Sequence, residues 1–157
     1  MSIEIGQDAP DFALKGILDT KAVELSHFRG KSNVVLFFFP LAFSSVCTDE
    51  FCSLRDDVSQ YDGFDAKVLG ISVDSPFALA AWAKEFDYPF DLLSDFNRQV
   101  SPQYDSLYEE LMGFKGVSKR SAFVIDKAGK IRYAEVCPSP GDLPSFDKIR
   151  ATLATLS

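Results

Sequence analysis

Asn33-Val34-Val35-Leu36-Phe37-Phe38-Phe39-Pro40 is the stretch that decides the fold. It carries no charge, is rich in β-branched and aromatic side chains, and stops at a proline. A strand with one wet face would alternate apolar and polar residues. An unbroken apolar run reads instead as a central strand buried on both faces. Such a strand needs helices packed against its sheet, which places the chain in the α/β class.

The neighbouring patterns agree with that reading. Downstream, Ser44 or Ser45 can cap a helix running to about Tyr61, with Asp49 and Glu50 in the first turn, where the helix dipole favours them. Lys67–Val73 is the next strand, and Ser75-Pro76 opens a helix to about Phe86 with proline at the favoured first position. Asp91–Leu93 is a short strand and Gln99–Tyr104 a short helix. Ser121–Asp126 and Lys130–Val136 form a hairpin turning at Lys127-Ala128-Gly129, and a last helix spans about Ser145–Leu156. Upstream, Asp11–Leu14 and Ala22–Leu25 are two short strands around a turn. Asp105–Lys119 is the least regular segment; Gly113 and Gly116 point to a mobile loop there. No repeat or linker interrupts the 157 residues, so 1–157 is expected to be one domain.

Composition excludes several classes of function. The net charge of −7 argues against a nucleic-acid partner, because phosphates need a basic surface. No apolar run approaches the roughly 20 residues of a membrane helix, and no basic-then-apolar leader opens the chain, so a cytoplasmic protein is expected. Three cysteines are too few and too odd for a disulfide scaffold. Reduced thiols fit better, and at least one of them can be reactive.

Cys47 is the candidate. It falls a few residues past the end of the buried strand, at the start of a helix. Sites in open α/β sheets lie at the carboxyl ends of strands. Free N–H groups at a helix start favour a thiolate over a thiol. A disulfide reductase would show C-x-x-C, whereas the spacing from Cys47 to Cys52 is C-x-x-x-x-C. A Cys–His hydrolase needs a nearby imidazole, and the one histidine, His27, reads as a surface residue in a turn. A zinc site would have to gather scattered ligands at irregular spacing. Neither a phosphate-binding nor a dinucleotide-binding glycine motif is present.

Pro40-Leu41-Ala42-Phe43-Ser44-Ser45-Val46-Cys47 has the form P-x-x-x-S-x-x-C and resembles the peroxiredoxin signature P-x-x-x-T/S-x-x-C. Phe38-Phe39-Pro40-Leu41-Ala42-Phe43 is similar to the alkyl hydroperoxide reductase E subgroup. The resemblance runs over nearly the whole chain, through Gly6–Phe12, Phe28–Lys31, Leu93–Phe96 and Arg120–Asp126. It implies a thioredoxin-like sheet with flanking helices and an N-terminal β-hairpin. It also implies a thiol peroxidase acting on hydrogen peroxide and organic hydroperoxides. Cys47 would attack the peroxide and become a sulfenic acid. Ser44 would hold the thiolate and peroxide, Pro40 would shield the thiolate from water, and Arg120 would polarise the peroxide. Glu50 would orient Arg120. Both electrons pass through sulfur, so no cofactor or metal is called for. The implied partners are the hydroperoxide and a dithiol reductant such as thioredoxin; the subgroup also implies a homodimer.

Cys52 departs from the alkyl hydroperoxide reductase E pattern but matches the spacing of the resolving cysteine in the peroxiredoxin Q group. Geometry attaches a condition. In an intact α-helix, residues five apart have Cα atoms ~8.7 Å from each other. A disulfide wants less than about 7 Å, so the helix would have to unwind first. An external thiol or Cys137, which precedes Pro138, are the other resolving candidates. Phe43 and Trp82 could border the site or a dimer face, with ordinary packing the expectation for Trp82. The rival from another class is a redox-sensing interaction module, which has no need to keep Pro40, Ser44, Cys47 and Arg120 together.

Overall fold

The computed structural model describes residues 3–156. Its strands are β1 (Ala13–Gly16), β2 (Ala22–Glu24), β3 (Asn33–Phe38), β4 (Ala66–Ser72), β5 (Asp91–Ser94), β6 (Glu110–Leu111), β7 (Phe114–Lys115), β8 (Ser121–Ile125) and β9 (Ile131–Val136). The α-helices are α1 (Ser45–Asp56), α2 (Val58–Gly63), α3 (Pro76–Phe86) and α4 (Phe146–Ala154). Seven strands make one mixed sheet in the order β2-β1-β5-β4-β3-β8-β9. β3 pairs parallel with β4 and antiparallel with β8, so Val35 lies between Val68 and Val124. All six residues of β3 are buried, as an unbroken apolar run requires.

The alternation of β3 divides the core in two. Val35, Phe37 and Phe39 face a cluster built with Phe51 and Leu54 of α1, Tyr61 of α2, Leu79 and Trp82 of α3, and Ile149 and Leu153 of α4. Val34, Leu36 and Phe38 face the other side, which Phe12, Leu14, Leu25, Val100 and Tyr104 cover. Two 3₁₀ turns, Leu25–Phe28 and Ser101–Tyr104, bring Leu25 and Tyr104 to that second cluster. Burial of each large side chain contributes roughly 1.5–3 kcal/mol. Gly70 on β4 lets α1 sit close to the sheet, because a Cβ there would come within 2.7 Å of Phe51.

Several expectations need correction. The helix expected from Ser44 to Tyr61 breaks at Asp57 (φ −103°, ψ 8°) into α1 and α2. Phe51, Leu54, Val58 and Tyr61 keep helical spacing across the break, so the sequence hides it. The Asp57 carboxylate lies 3.7 Å from Arg150 of α4, a contact between distant elements. The loop expected at Asp105–Lys119 contains the β6–β7 hairpin. Met112 (φ 53°) and Gly113 (φ 84°) both turn left-handed at its tip, as a two-residue hairpin turn demands. Buried hydroxyl pairs, Ser101 with Ser118 and Ser106 with Ser121, each at 2.7 Å, tie the segment to the body. The N-terminal hairpin β1–β2 forms as expected, and β1 also pairs with β5, which joins it to the sheet.

Candidate active site

Cys47 occupies the third position of α1, in its first turn, and is fully buried. β3 delivers the chain to this point and Pro40, also buried, ends it. Leu41–Ser44 then turns into the helix, with Phe43 left-handed (φ 68°) and half exposed. Asp74 beyond β4 pins this turn: its carboxylate accepts from the Ala42 N–H at 2.8 Å and from the Ser72 hydroxyl at 2.7 Å. Asp74 was not legible as a site residue, since nothing in the sequence ties it to Ala42.

Arg120 immediately precedes β8, the strand beside β3, and this neighbourhood carries its guanidinium to Cys47. The side chain is 2% exposed. Its Nη2 donates to Cys47 Sγ at 3.2 Å, and its Nη1 donates to Glu50 Oε1 at 2.7 Å. Nε and Nη2 also donate to the Pro140 carbonyl, at 3.1 and 3.0 Å. The planar fork of arginine suits this arrangement; one lysine ammonium could not make all four contacts in these directions. The Pro140 carbonyl, on the turn between β9 and α4, is the positioning group that side-chain patterns could not reveal. The backbone adds a further tie, with Cys137 N–H donating to Arg120 O at 2.9 Å.

Glu50 stands in the second turn of α1, not the first as expected, and is fully buried. It is therefore no helix-terminal surface charge: it forms the ion pair with Arg120. Burial pushes its carboxyl up to about 7, with the attraction of Arg120 opposing that rise. Its Oε2 has no hydrogen-bond partner among the described residues.

The side chains of three other candidates, Ser44, Cys52 and Cys137, make no hydrogen bond to this cluster among the described residues. Ser44 provides the extended N-cap residue of α1, but its hydroxyl donates to Leu41 O at 2.7 Å and caps nothing. Cys52 is half-buried one turn beyond Cys47, with Sγ 3.6 Å from the Tyr88 hydroxyl. All three cysteines are free thiols. Cys137 is buried, and burial together with Glu135 pushes its thiol up to about 11, which disfavours it as a nucleophile. His27 is exposed and pairs with Glu24 at 2.9 Å, as a surface residue should. Trp82 is wholly buried in the core, with its Nε1 donating to Thr48 Oγ1 at 3.3 Å. Among the described residues no group of His, Cys, Asp or Glu converges as a metal site, and no helix is long and apolar enough to cross a membrane.

Comparison with known proteins decides the family. The model of the AhpC/TSA family matches residues 5–134. The chain belongs to that family. It is 38% identical over 143 residues to alkyl hydroperoxide reductase E of Mycobacterium tuberculosis, a match covering 90% of each chain. It is 37% identical over 147 residues to a chloroplastic 2-cysteine peroxiredoxin of Chattonella marina var. antiqua, covering 87% of this chain and 72% of the relative. Among solved structures, peroxidoxin BcpB of Mycobacterium tuberculosis superposes with a TM-score of 0.86 at 31% identity, over 99% of both chains. The reduced 2-Cys peroxiredoxin of Plasmodium vivax superposes with a TM-score of 0.85 at 29% identity, covering 96% of this chain and 80% of the other. The chain is thus a peroxiredoxin with the thioredoxin-like fold, and a thiol-dependent peroxidase.

Proposed function

We propose that Cys47 is the thiolate that attacks the peroxide and that Cys52 resolves the product. The observation that carries this is the contact of Arg120 Nη2 with Cys47 Sγ at 3.2 Å, inside a cage closed by Glu50 and the Pro140 carbonyl. That contact places a permanent cation where negative charge moves during the reaction. The Cys47 thiolate attacks one peroxide oxygen, the O–O bond breaks, and the alkoxide leaves to take up a proton. Arg120 stabilises the negative charge as it passes from sulfur to the leaving oxygen. Pro40 closes the site toward β3 and excludes water. Ser44 lies on the open side of the turn, where its hydroxyl can exchange Leu41 O for the substrate.

Cys52 then attacks the Cys47 sulfenic acid. The S–S bond forms, the S–O bond breaks, and hydroxide leaves with the proton of Cys52 as water. A dithiol such as thioredoxin or a related redoxin returns both thiols. The substrates are hydrogen peroxide and organic hydroperoxides, and the protein works as a single domain, in the cytoplasm, as a homodimer. A second reading, resolution by an external thiol, is favoured by the intact turns of α1 between the two cysteines.

Intact mass and non-reducing peptide mapping after one equivalent of hydrogen peroxide test both readings, with Cys52→Ser alongside. The expected result is a loss of two hydrogens mapped to a Cys47–Cys52 peptide, absent from the variant. A Cys47 sulfenic acid in both proteins would select the external thiol. An unoxidised Cys47 in both would overturn the assignment of the nucleophile.

A further inference from the structure

One face of α1 is fastened to α3 and to the connection from α3 to β5. Thr48 and Cys52 are four residues apart and so share a helix face. Thr48 Oγ1 accepts from Trp82 Nε1 at 3.3 Å, and Cys52 Sγ meets the Tyr88 hydroxyl at 3.6 Å. One turn further, Arg55 Nη1 donates to Phe86 O at 2.8 Å. All three partners belong to α3 or the connection from α3 to β5. Tyr88 is held firmly for this purpose. Its ring stacks between Phe86 (5.8 Å, 20°) and Phe90 (5.5 Å, 15°) and meets the edge of Trp82 at 5.0 Å. It is 6% exposed, and burial keeps the phenol protonated.

These contacts oppose the movement that resolution requires. Cys47 and Cys52 can bond only if the helix between them unwinds, and Thr48 and Cys52 both lie in that stretch. When Cys52 leaves, the part-buried Tyr88 hydroxyl loses the partner it has among the described residues. Losing that contact raises the free energy of the opened form. We propose that Tyr88 and Trp82 are positioning residues for the resolving step: they clasp the Thr48–Cys52 face of α1 and set how often Cys52 reaches the oxidised Cys47. This rests on the reading of Cys52 as the resolving thiol. The clasp then divides the Cys47 sulfenic acid between two fates. Either Cys52 displaces its hydroxyl as water to give the disulfide, or a second hydroperoxide oxidises it to sulfinic acid and leaves as the alcohol. A tighter clasp favours the second fate.

Tyr88→Phe removes the hydroxyl and keeps the stacked ring; Thr48→Val removes the acceptor for Trp82 and keeps the shape. Hydrogen exchange of the α1 amides is measured on the reduced proteins. Disulfide and sulfinic acid are then followed by mass spectrometry across a peroxide series. The expected result for Tyr88→Phe is about twofold faster α1 exchange, the ratio that one weak hydrogen bond to sulfur is worth. The disulfide should form faster by a similar factor, more peroxide should be needed for sulfinic acid, and the first oxidation of Cys47 should keep its rate. Thr48→Val should shift the same readings in the same direction. Unchanged exchange and unchanged disulfide rates in both variants would overturn the proposal. So would an equal loss of rate in the first oxidation, which would mark a general disturbance of the site. Faster exchange with no Cys47–Cys52 disulfide in any of the proteins would overturn it by another route, removing the role of Cys52 while leaving the clasp on the helix visible.

Discussion

Cys47 and Cys52 sit on one helix, five residues apart, and meet opposite surroundings. Cys47 faces ions: Arg120 touches its sulfur, and Glu50 and the Pro140 carbonyl fix Arg120. Cys52 faces rings: among the described residues its thiol's hydrogen-bond partner is a tyrosine hydroxyl, whose ring packs with Phe86, Trp82 and Phe90. The first setting puts a cation against the sulfur proposed as the nucleophile. The second packs the proposed resolving thiol against that tyrosine. The same helix supplies both because successive residues of α1 point to different partners, β8 on one side and α3 on the other.

The comparison breaks most visibly at Cys47 itself. Cys47→Ser should abolish peroxide turnover with a dithiol reductant and leave the circular dichroism spectrum unchanged; residual turnover above background would move the nucleophile elsewhere. Next is the ion cage. Arg120→Lys keeps the charge but not the fork, and the second-order rate of Cys47 oxidation in stopped flow should drop by about a hundredfold, the scale of losing one preorganised donor. A loss below threefold would mean that charge alone suffices. Cys52→Ser should leave that first rate unchanged while stopping the disulfide, which separates the two thiols by step.

The smallest expected effect sharpens the electrostatic side. Because burial raises the Glu50 carboxyl from 4.5 to about 7, the folded state binds a proton that the unfolded state has released between those values. Its contribution to stability is therefore fully present below about pH 4.5 and lost as pH rises through about 7. Glu50→Gln cannot titrate, so the difference in urea stability between variant and wild type should change across that window in favour of the variant at the upper end. A difference that stays level would mean that Glu50 remains charged throughout.

Much of the site was legible because its parts are close in the chain. Pro40, Ser44 and Cys47 lie within one turn and one helix start, and Glu50 follows a turn later. What was misread was mostly position in three dimensions. Asp49 and Glu50 were expected at the helix terminus, but α1 begins at Ser45 and Glu50 points inward. The Ser44 hydroxyl, which the resemblance directs to the thiolate and the peroxide, donates to the carbonyl three residues back. Asp105–Lys119 looked irregular because its strands have two residues each, too short for any alternation to register.

By itself the sequence determined the α/β class, through an apolar run that needs cover on both faces, and the placement of Cys47 after that strand at a helix start. These are decided by neighbours in the chain: periodicity, a proline, a cap. Only the tertiary structure brought Arg120 to Cys47 across 73 residues, set the Pro140 carbonyl against the guanidinium, and laid Tyr88 on Cys52 across 36. The helix break at Asp57 and the pinning of Ala42 by Asp74 belong to the same set. Such contacts follow from the order in which strands pair and from the packing of helices on the sheet. Residues far apart in the chain carry no local signal of which distant partner that packing will bring to them.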